Sequence, residues 1–285
     1  MKLVVLSGRS GSGKSTALQA LEDVGFYCID NLPALLLPSL VSQMATQDDC
    51  PDKIAISIDA RNLLSNLSQF PDILYTLREE GLAEYEVMFL DSADDVLLRR
   101  YNSTRRKHPL SDKFTTLQAS IEAEAKLLEP IASMADLRLD TTHLSLYDLR
   151  DTIKLRVAQR KSQALSIQFE SFGFKYGVPL NVDFVYDVRA LPNPHWIPEL
   201  RQYTGKEQPV KDFLGGSEEV QEMLKDIEQF LERWLPRFAE NNRSYITIGI
   251  GCTGGQHRSV YICEHLTDHF SKIMDNVHAR HRELS

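Results

Sequence analysis

Lys14 stands directly after the spacing Gly8-x-x-x-x-Gly13 and is followed by Ser15 and Thr16. That pattern can hold the phosphates of a nucleoside triphosphate. The loop Gly8-Arg9-Ser10-Gly11-Ser12-Gly13 is glycine-rich. Glycine lets the backbone curl until successive N–H groups point inward at phosphate oxygens. A helix starting at the loop's end adds partial positive charge. Lys14 can reach the terminal phosphates, and the Ser15 hydroxyl is placed to ligate Mg²⁺. The setting agrees, because an apolar run, Leu3 to Leu6, precedes the loop and a helical stretch, Ser15 to Glu22, follows it.

A second constellation lies near the other end. Cys252 and Arg258 are separated by five residues, and Ser259 follows. This is the spacing of cysteine phosphatases, in which a thiolate at a helix N-terminus attacks phosphorus. Gly251 stands where those enzymes usually carry His, and no general-acid loop is evident. Binding of a phosphorylated ligand without catalysis is therefore the favoured reading, ahead of a phosphatase or a purely structural loop. The strand from Tyr245, the loop Gly251-Cys-Thr-Gly254-Gly255 and the helix from Arg258 to Phe270 repeat the design of an amide-lined anion cradle. His195, on its own turn, could join this pocket.

Positioning these residues requires alternating strands and helices. The pattern predicts strands at Leu3–Leu6, Gly25–Ile29, Lys53–Asp59, Tyr85–Asp91 and Leu137–Thr142. Helices are expected at Pro33–Ala45, Val96–Tyr101, Leu117–Met134 and Leu146–Lys161. Such alternation implies a parallel sheet covered on both faces, with ligands at the carboxyl ends of strands. Asp30, Asp59 and Asp91 each end a strand there, and any of them could hold Mg²⁺ through a water or simply cap a helix. Asp59 is the preferred candidate, with Asp91 second. Arg99, Arg100, Arg105, Arg106 and Lys107 put five cations in nine residues, either a clamp on the nucleotide or a solvated helix face. His265 and His269 sit four apart on a predicted helix, but Leu266 replaces the Glu of a zincin motif, so exposed helix residues are the better reading.

At 285 residues the chain is long enough for about two domains. We place the boundary near residue 160, with domains over 1–160 and 161–285. The expected fold class is α/β: a kinase-like P-loop NTPase domain with a parallel sheet, then a second, smaller α/β domain. A net charge of −8 argues against a protein basic all over, yet permits a local basic patch. No apolar stretch approaches the roughly 20 residues of a membrane helix. The apolar start is too short for a signal peptide, and the four cysteines form no C-x-x-C pair. A reducing cytoplasm is the expected compartment.

Further motifs add a resemblance. Glu22-Asp-x-Gly25-Phe-Tyr-Cys-x-Asp30-Asn-Leu-Pro33, Ser57-Ile-Asp59-x-Arg61-Asn62 and Arg99-Arg-Tyr-x-x-Thr-Arg-Arg-x-His108-Pro-Leu join the loops above. So do Phe169-Glu-Ser-Phe-Gly-Phe-Lys175 and Arg189-x-Leu-Pro-Asn-Pro-His195-Trp. Together with Gly251-Cys-Thr-Gly-Gly-x-His-Arg-Ser-Val260 they resemble, over nearly the whole chain, the RapZ/YvcJ family of bacterial nucleotide-binding proteins. The resemblance implies binding and hydrolysis of ATP and GTP with Mg²⁺, in which Lys14 and Asp59 would act. ATP would map to Gly8 through Ser15, and GTP to Asp59, Ala60, Arg61 and Asn62.

RapZ-like members are RNase adapters. Their C-terminal domain binds small regulatory RNAs and presents them to an endoribonuclease, which controls glucosamine-6-phosphate synthesis. The resemblance therefore implies an amino-sugar phosphate near His195, Thr253, Gly254, His257 and Arg258. It also implies RNA contacts at Lys272, Arg280 and Arg282, and a homo-oligomer. A P-loop metabolite kinase and a cysteine phosphatase remain the alternatives. The tail departs from the family's lysine-rich end, and Gln256 replaces a common lysine. Fewer fixed charges mean fewer phosphate contacts.

Overall fold

The computed structural model describes residues 1–46, 51–61, 69–79, 81, 83–104, 107–111, 115–158, 165–241 and 243–284. The chain divides into two compact units, Met1–Gln159 and Arg160–Ser285.

Unit 1 begins with β1 (Lys2–Gly8), in which Leu3, Val4, Val5 and Leu6 are fully buried. A strand buried on both faces belongs at the centre of a parallel sheet. After it come α1 (Lys14–Glu22), β2 (Tyr27–Ile29), α2 (Leu37–Ala45), β3 (Lys53–Ser57) and α3 (Phe70–Glu79). β4 (Glu84–Asp91), α4 (Asp94–Thr104), α5 (Leu117–Ser133), β5 (Leu137–Asp140) and α6 (Leu146–Ile153) complete the unit. The strands pair in parallel in the order β2-β3-β1-β4-β5. β1 therefore lies between β3 and β4, and the loop leaving it opens at the carboxyl edge of the sheet. Leu3, Val5, Ile54, Ile56, Val87 and Phe89 form one core with Phe70, Leu74, Leu128 and Ile131 from the covering helices. Each such side chain contributes roughly 1.5–3 kcal/mol relative to exposure.

Several boundaries differ from the sequence expectation. Pro33 caps a 3₁₀ turn at Ala34–Leu36, and α2 begins only after it, at Leu37. Strand β3 stops at Ser57, so Asp59 lies in the loop beyond it. The last helix passes into a π turn over Lys154–Ala158, and the expected end at Lys161 lies outside the described residues.

Unit 2 holds β6 (Ser166–Gly173), β7 (Phe184–Asp187), α7 (Gln208–Gly215) and α8 (Glu218–Glu240). β8 (Tyr245–Cys252), α9 (Arg258–Phe270) and β9 (Val277–His281) follow. All four strands are parallel, in the order β7-β8-β6-β9. Helix α8 buries Val220, Leu224, Ile227, Leu231 and Leu235, a helical stripe that covers Ile246, Ile248 and Ile250 of β8. Among the described residues, no helix is long and apolar enough to cross a membrane.

Candidate functional site

The first backbone bond closing α1 runs from Ala17 N to Gly13 O at 3.0 Å. The amides of Lys14, Ser15 and Thr16 precede it, at the positive end of the helix. A cavity of about 840 Å³ opens there, lined by Ser10 to Thr16, Asp30, Asp59, Arg61, Arg100, Lys107 and the segment from Leu144 to Leu146. Four cations, Lys14, Arg61, Arg100 and Lys107, face two carboxylates in this lining. The cavity suits a polyanion.

The Lys14 ammonium donates to Gly8 O (2.6 Å) and Arg9 O (3.2 Å), carbonyls of its own loop. Burial lowers its pKa, while Glu124, Asp59 and Asp30 oppose that loss. Asp59 is buried, a cost that alone would raise its pKa. Arg61 prevails, donating Nη2–H at 2.6 Å and its backbone N–H at 2.9 Å, and holds the carboxyl below its usual range. Asp30 lines the same cavity and accepts from Ser57 Oγ. Asp91 does not line it, because its carboxylate takes Arg9 Nε at 2.7 Å and Ser92 N at 2.7 Å. The second-choice acid is thus committed elsewhere.

Arg9 itself is buried between Asp91 and Asp94, so only its backbone belongs to the loop. Arg100 donates to Gly11 O (2.9 Å) and Thr141 O (2.7 Å), and Thr141 Oγ1 donates to Ser12 O (2.9 Å). These bonds fix the loop's carbonyls outward. The basic run divides: Arg100 and Lys107 line the cavity, whereas Arg99 pairs with Asp95 on an exposed face at 3.1 Å. Arg105, Arg106 and Asn62 lie outside the described residues, and Ala60 is buried next to Asp59. Sequence reasoning missed Glu124, His108 and Thr141, whose partners are 16 to 129 positions away.

A nucleotide with Mg²⁺ fits these residues. Ser12 Oγ is buried without a hydrogen-bond partner, an orphan inside the loop that a phosphate oxygen could satisfy. Ser15, Asp30 and Asp59 add hard oxygen donors to the lining.

In unit 2 the loop after β8 carries the second set. Cys252 Sγ is buried, accepts Gly255 N–H at 3.2 Å and lies 3.1 Å from Ser259 Oγ. Arg258 donates Nη1–H to Arg189 O (2.7 Å) and Leu191 O (2.9 Å), and Nη2–H to Thr253 Oγ1 (3.3 Å). His257 is buried with Nε2 unpartnered, its ring 6.1 Å from that of His195. Burial, then the neighbouring His195, pushes the His257 pKa down. The 3₁₀ turn Pro194–Trp196 presents Trp196, 77 % exposed, beside His195. Thr253, Gly254, His257 and Arg258 therefore share one loop–helix junction, with His195 brought to it.

Gly251 has a steric reason. A Cβ there would lie 2.5 Å from a Phe174 ring atom and 2.6 Å from Phe172. Replacing it by the phosphatase-type residue, Gly251→His, is expected to force both rings aside. The cost is about 1–3 kcal/mol. A thermal melt should show Tm falling by several degrees with no phosphatase activity gained.

Of the three residues proposed for RNA, Lys272 is exposed beyond α9. Arg280 sits in β9 with its guanidinium 3.2 Å from the buried Glu170 carboxylate. Arg282 donates to Gly177 O (2.8 Å) and Tyr176 O (3.3 Å). His265 and His269 face Glu228 and Glu232 of α8.

Residues 1–161 match the RapZ-like N-terminal domain and residues 165–285 the RapZ C-terminal domain. The chain belongs to the RapZ family. A "Nucleotide-binding protein" of Cellvibrio japonicus is 55 % identical over 284 residues, covering all of this chain and 95 % of its own. Another so named, from Ectopseudomonas mendocina, is 51 % identical with both chains fully covered. Among solved structures, the YorR protein of Bacillus subtilis in complex with phosphorylated GDP aligns at TM-score 0.37 and 19 % identity. It covers 53 % of this chain and 92 % of its own. The fold assignment, a P-loop α/β unit and a second α/β unit, rests on the strand order and family match instead.

Proposed function

We propose that this protein is a nucleotide-binding adapter: it holds MgATP or MgGTP at the loop Gly8–Ser15 and a small regulatory RNA through unit 2. The observation that carries the nucleotide part is the loop itself, where an orphaned Ser12 hydroxyl, the Lys14 ammonium and the start of α1 line one cavity. The names of its relatives support the same reading. Slow hydrolysis of either nucleotide would use Lys14 and, through the metal, Asp59. In unit 2, His195, Thr253, Gly254, His257 and Arg258 would seat the phosphate of an amino-sugar phosphate. That ligand would modulate delivery of the RNA to an endoribonuclease, and the adapter would work as a homo-oligomer in the cytoplasm. The RNA part is supported by family membership and by the exposed Lys272.

A gel-shift titration of the full chain with a structured small RNA, over a salt series, tests the adapter role. The logarithm of the binding constant should fall linearly with log salt, and Lys272→Ala should reduce that slope by about one. No shift at low salt removes the adapter. Labelled phosphate moving from ATP to a sugar phosphate would favour a metabolite kinase instead.

A further inference from the structure

Glu124 is a carboxylate in the middle of α5 with no exposure at all. Burying an acid is costly unless several donors meet it. Here three do. Ser10 N–H reaches Oε2 at 2.9 Å and Ser10 Oγ–H reaches Oε1 at 2.6 Å. His108 Nε2 lies 3.1 Å from Oε2. The other ring nitrogen, Nδ1, accepts Leu110 N–H at 3.1 Å, so the imidazole carries its single proton on Nε2 and donates it to Glu124. Burial would raise the pKa of this acid, but bonds from His108 and Ser10 and the charge of Lys14 hold it below the usual range.

Both donor residues belong to segments that line the cavity. Ser10 lines it from the loop, and His108 sits between Lys107 and Pro109, which line it as well. The Ser10 amide is turned to Glu124, so it cannot serve a phosphate. Its direction fixes how the next residues, Gly11 to Lys14, must curl.

We propose that Glu124 is the positioning residue of the nucleotide site: its carboxylate sets the curvature of the phosphate loop through Ser10 and ties the cationic Lys107 segment to the same point through His108. This deepens the nucleotide-binding reading and rests on it. Glu124 touches no phosphate. It acts through the two residues that do the lining or carry it.

The test is MgATP affinity of the full chain by titration of a fluorescent analogue, with a thermal melt of every variant. Wild type against Lys14→Ala comes first, and absence of binding in wild type defeats the nucleotide reading itself. With binding in hand, Glu124→Ala strands three buried donors and is expected to weaken affinity by about tenfold or more. Glu124→Gln can place its oxygen where Oε2 stands and donate its amide to Ser10 Oγ, so affinity should stay within about threefold. A folded Glu124→Ala that binds as wild type overturns the proposal, and so does equal loss in Gln and Ala variants. If Glu124→Ala does not fold, Ser10→Ala and His108→Ala decide. Their combined effect should depart from the product of the single effects by more than about twofold, and simple multiplication overturns the role.

Discussion

Lys14→Ala should lower affinity for MgATP about a hundredfold while leaving the melting temperature within a few degrees of wild type. The ammonium's only hydrogen bonds in the described structure run to carbonyls of Gly8 and Arg9, which solvent can replace. Its burial already disfavours the charged form. These contacts contribute little to the fold, so the expected loss falls on ligand affinity. Losing charge-assisted bonds to phosphate costs about 3 kcal/mol, which is about two decades in affinity. Isothermal titration with MgATP and MgGTP measures this directly. Unchanged affinity for both would remove the loop Gly8–Ser15 as the nucleotide seat.

Gly205→Ala is the second large effect, and it should strike unit 2. The missing Cβ would sit 2.3 Å from His257 O and 2.5 Å from Tyr261 N. Both atoms belong to backbone, and they form the first bond of α9, Tyr261 N to His257 O at 2.9 Å. Neither can rotate out of the way as a side-chain tip would. Gly205 N also donates to Gln256 O at 2.9 Å, so a displaced residue 205 drags the loop with it. The expected penalty is about 3 kcal/mol, at the top of the overpacking range. The amino-sugar phosphate binding proposed for unit 2, probed with glucosamine-6-phosphate in a thermal-shift assay, should be lost. Affinity for MgATP, read on the same variant, should be kept, because the phosphate loop belongs to the other unit. Loss of both would contradict two independently built sites.

How much of this could be read from the chain depends on range. The central strands of unit 1 were legible because β1 and β4 carry contiguous apolar runs, Leu3–Leu6 and Val87–Leu90, and Lys14 because its motif is contiguous. Asp59 was placed near the loop by the same logic, although it proved to lie past the end of β3. Asp91 misled because ending a strand says nothing of direction: Arg9, 82 residues away, claims it. Glu124 was invisible for the complementary reason. Within Ile121-Glu-Ala-Glu124-Ala-Lys it looks like one more polar position of an amphipathic helix, and only the folded contact with Ser10 and His108 distinguishes it from Glu122. Strand β9 was missed as well. Val277-His-Ala-Arg-His281 lacks an apolar alternation because its polar groups find partners, the buried Glu170 for Arg280 and the partly exposed Glu264 for His281 at 2.7 Å. The segment that carries Arg280 is thus the edge of a sheet.

Trp196 offers an experimental convenience. The chain has two tryptophans, Trp196 and Trp234, and both fall in unit 2. Trp234 packs beside Phe230 with the Arg237 guanidinium 4.7 Å from its ring, whereas Trp196 stands in solvent next to His195. Intrinsic emission excited at the indole band is therefore a colour channel for one half of the molecule. Under the proposed function, an amino-sugar phosphate seated near His195 should quench or shift this emission, and a dye-labelled nucleotide would report on the other unit in the same cuvette.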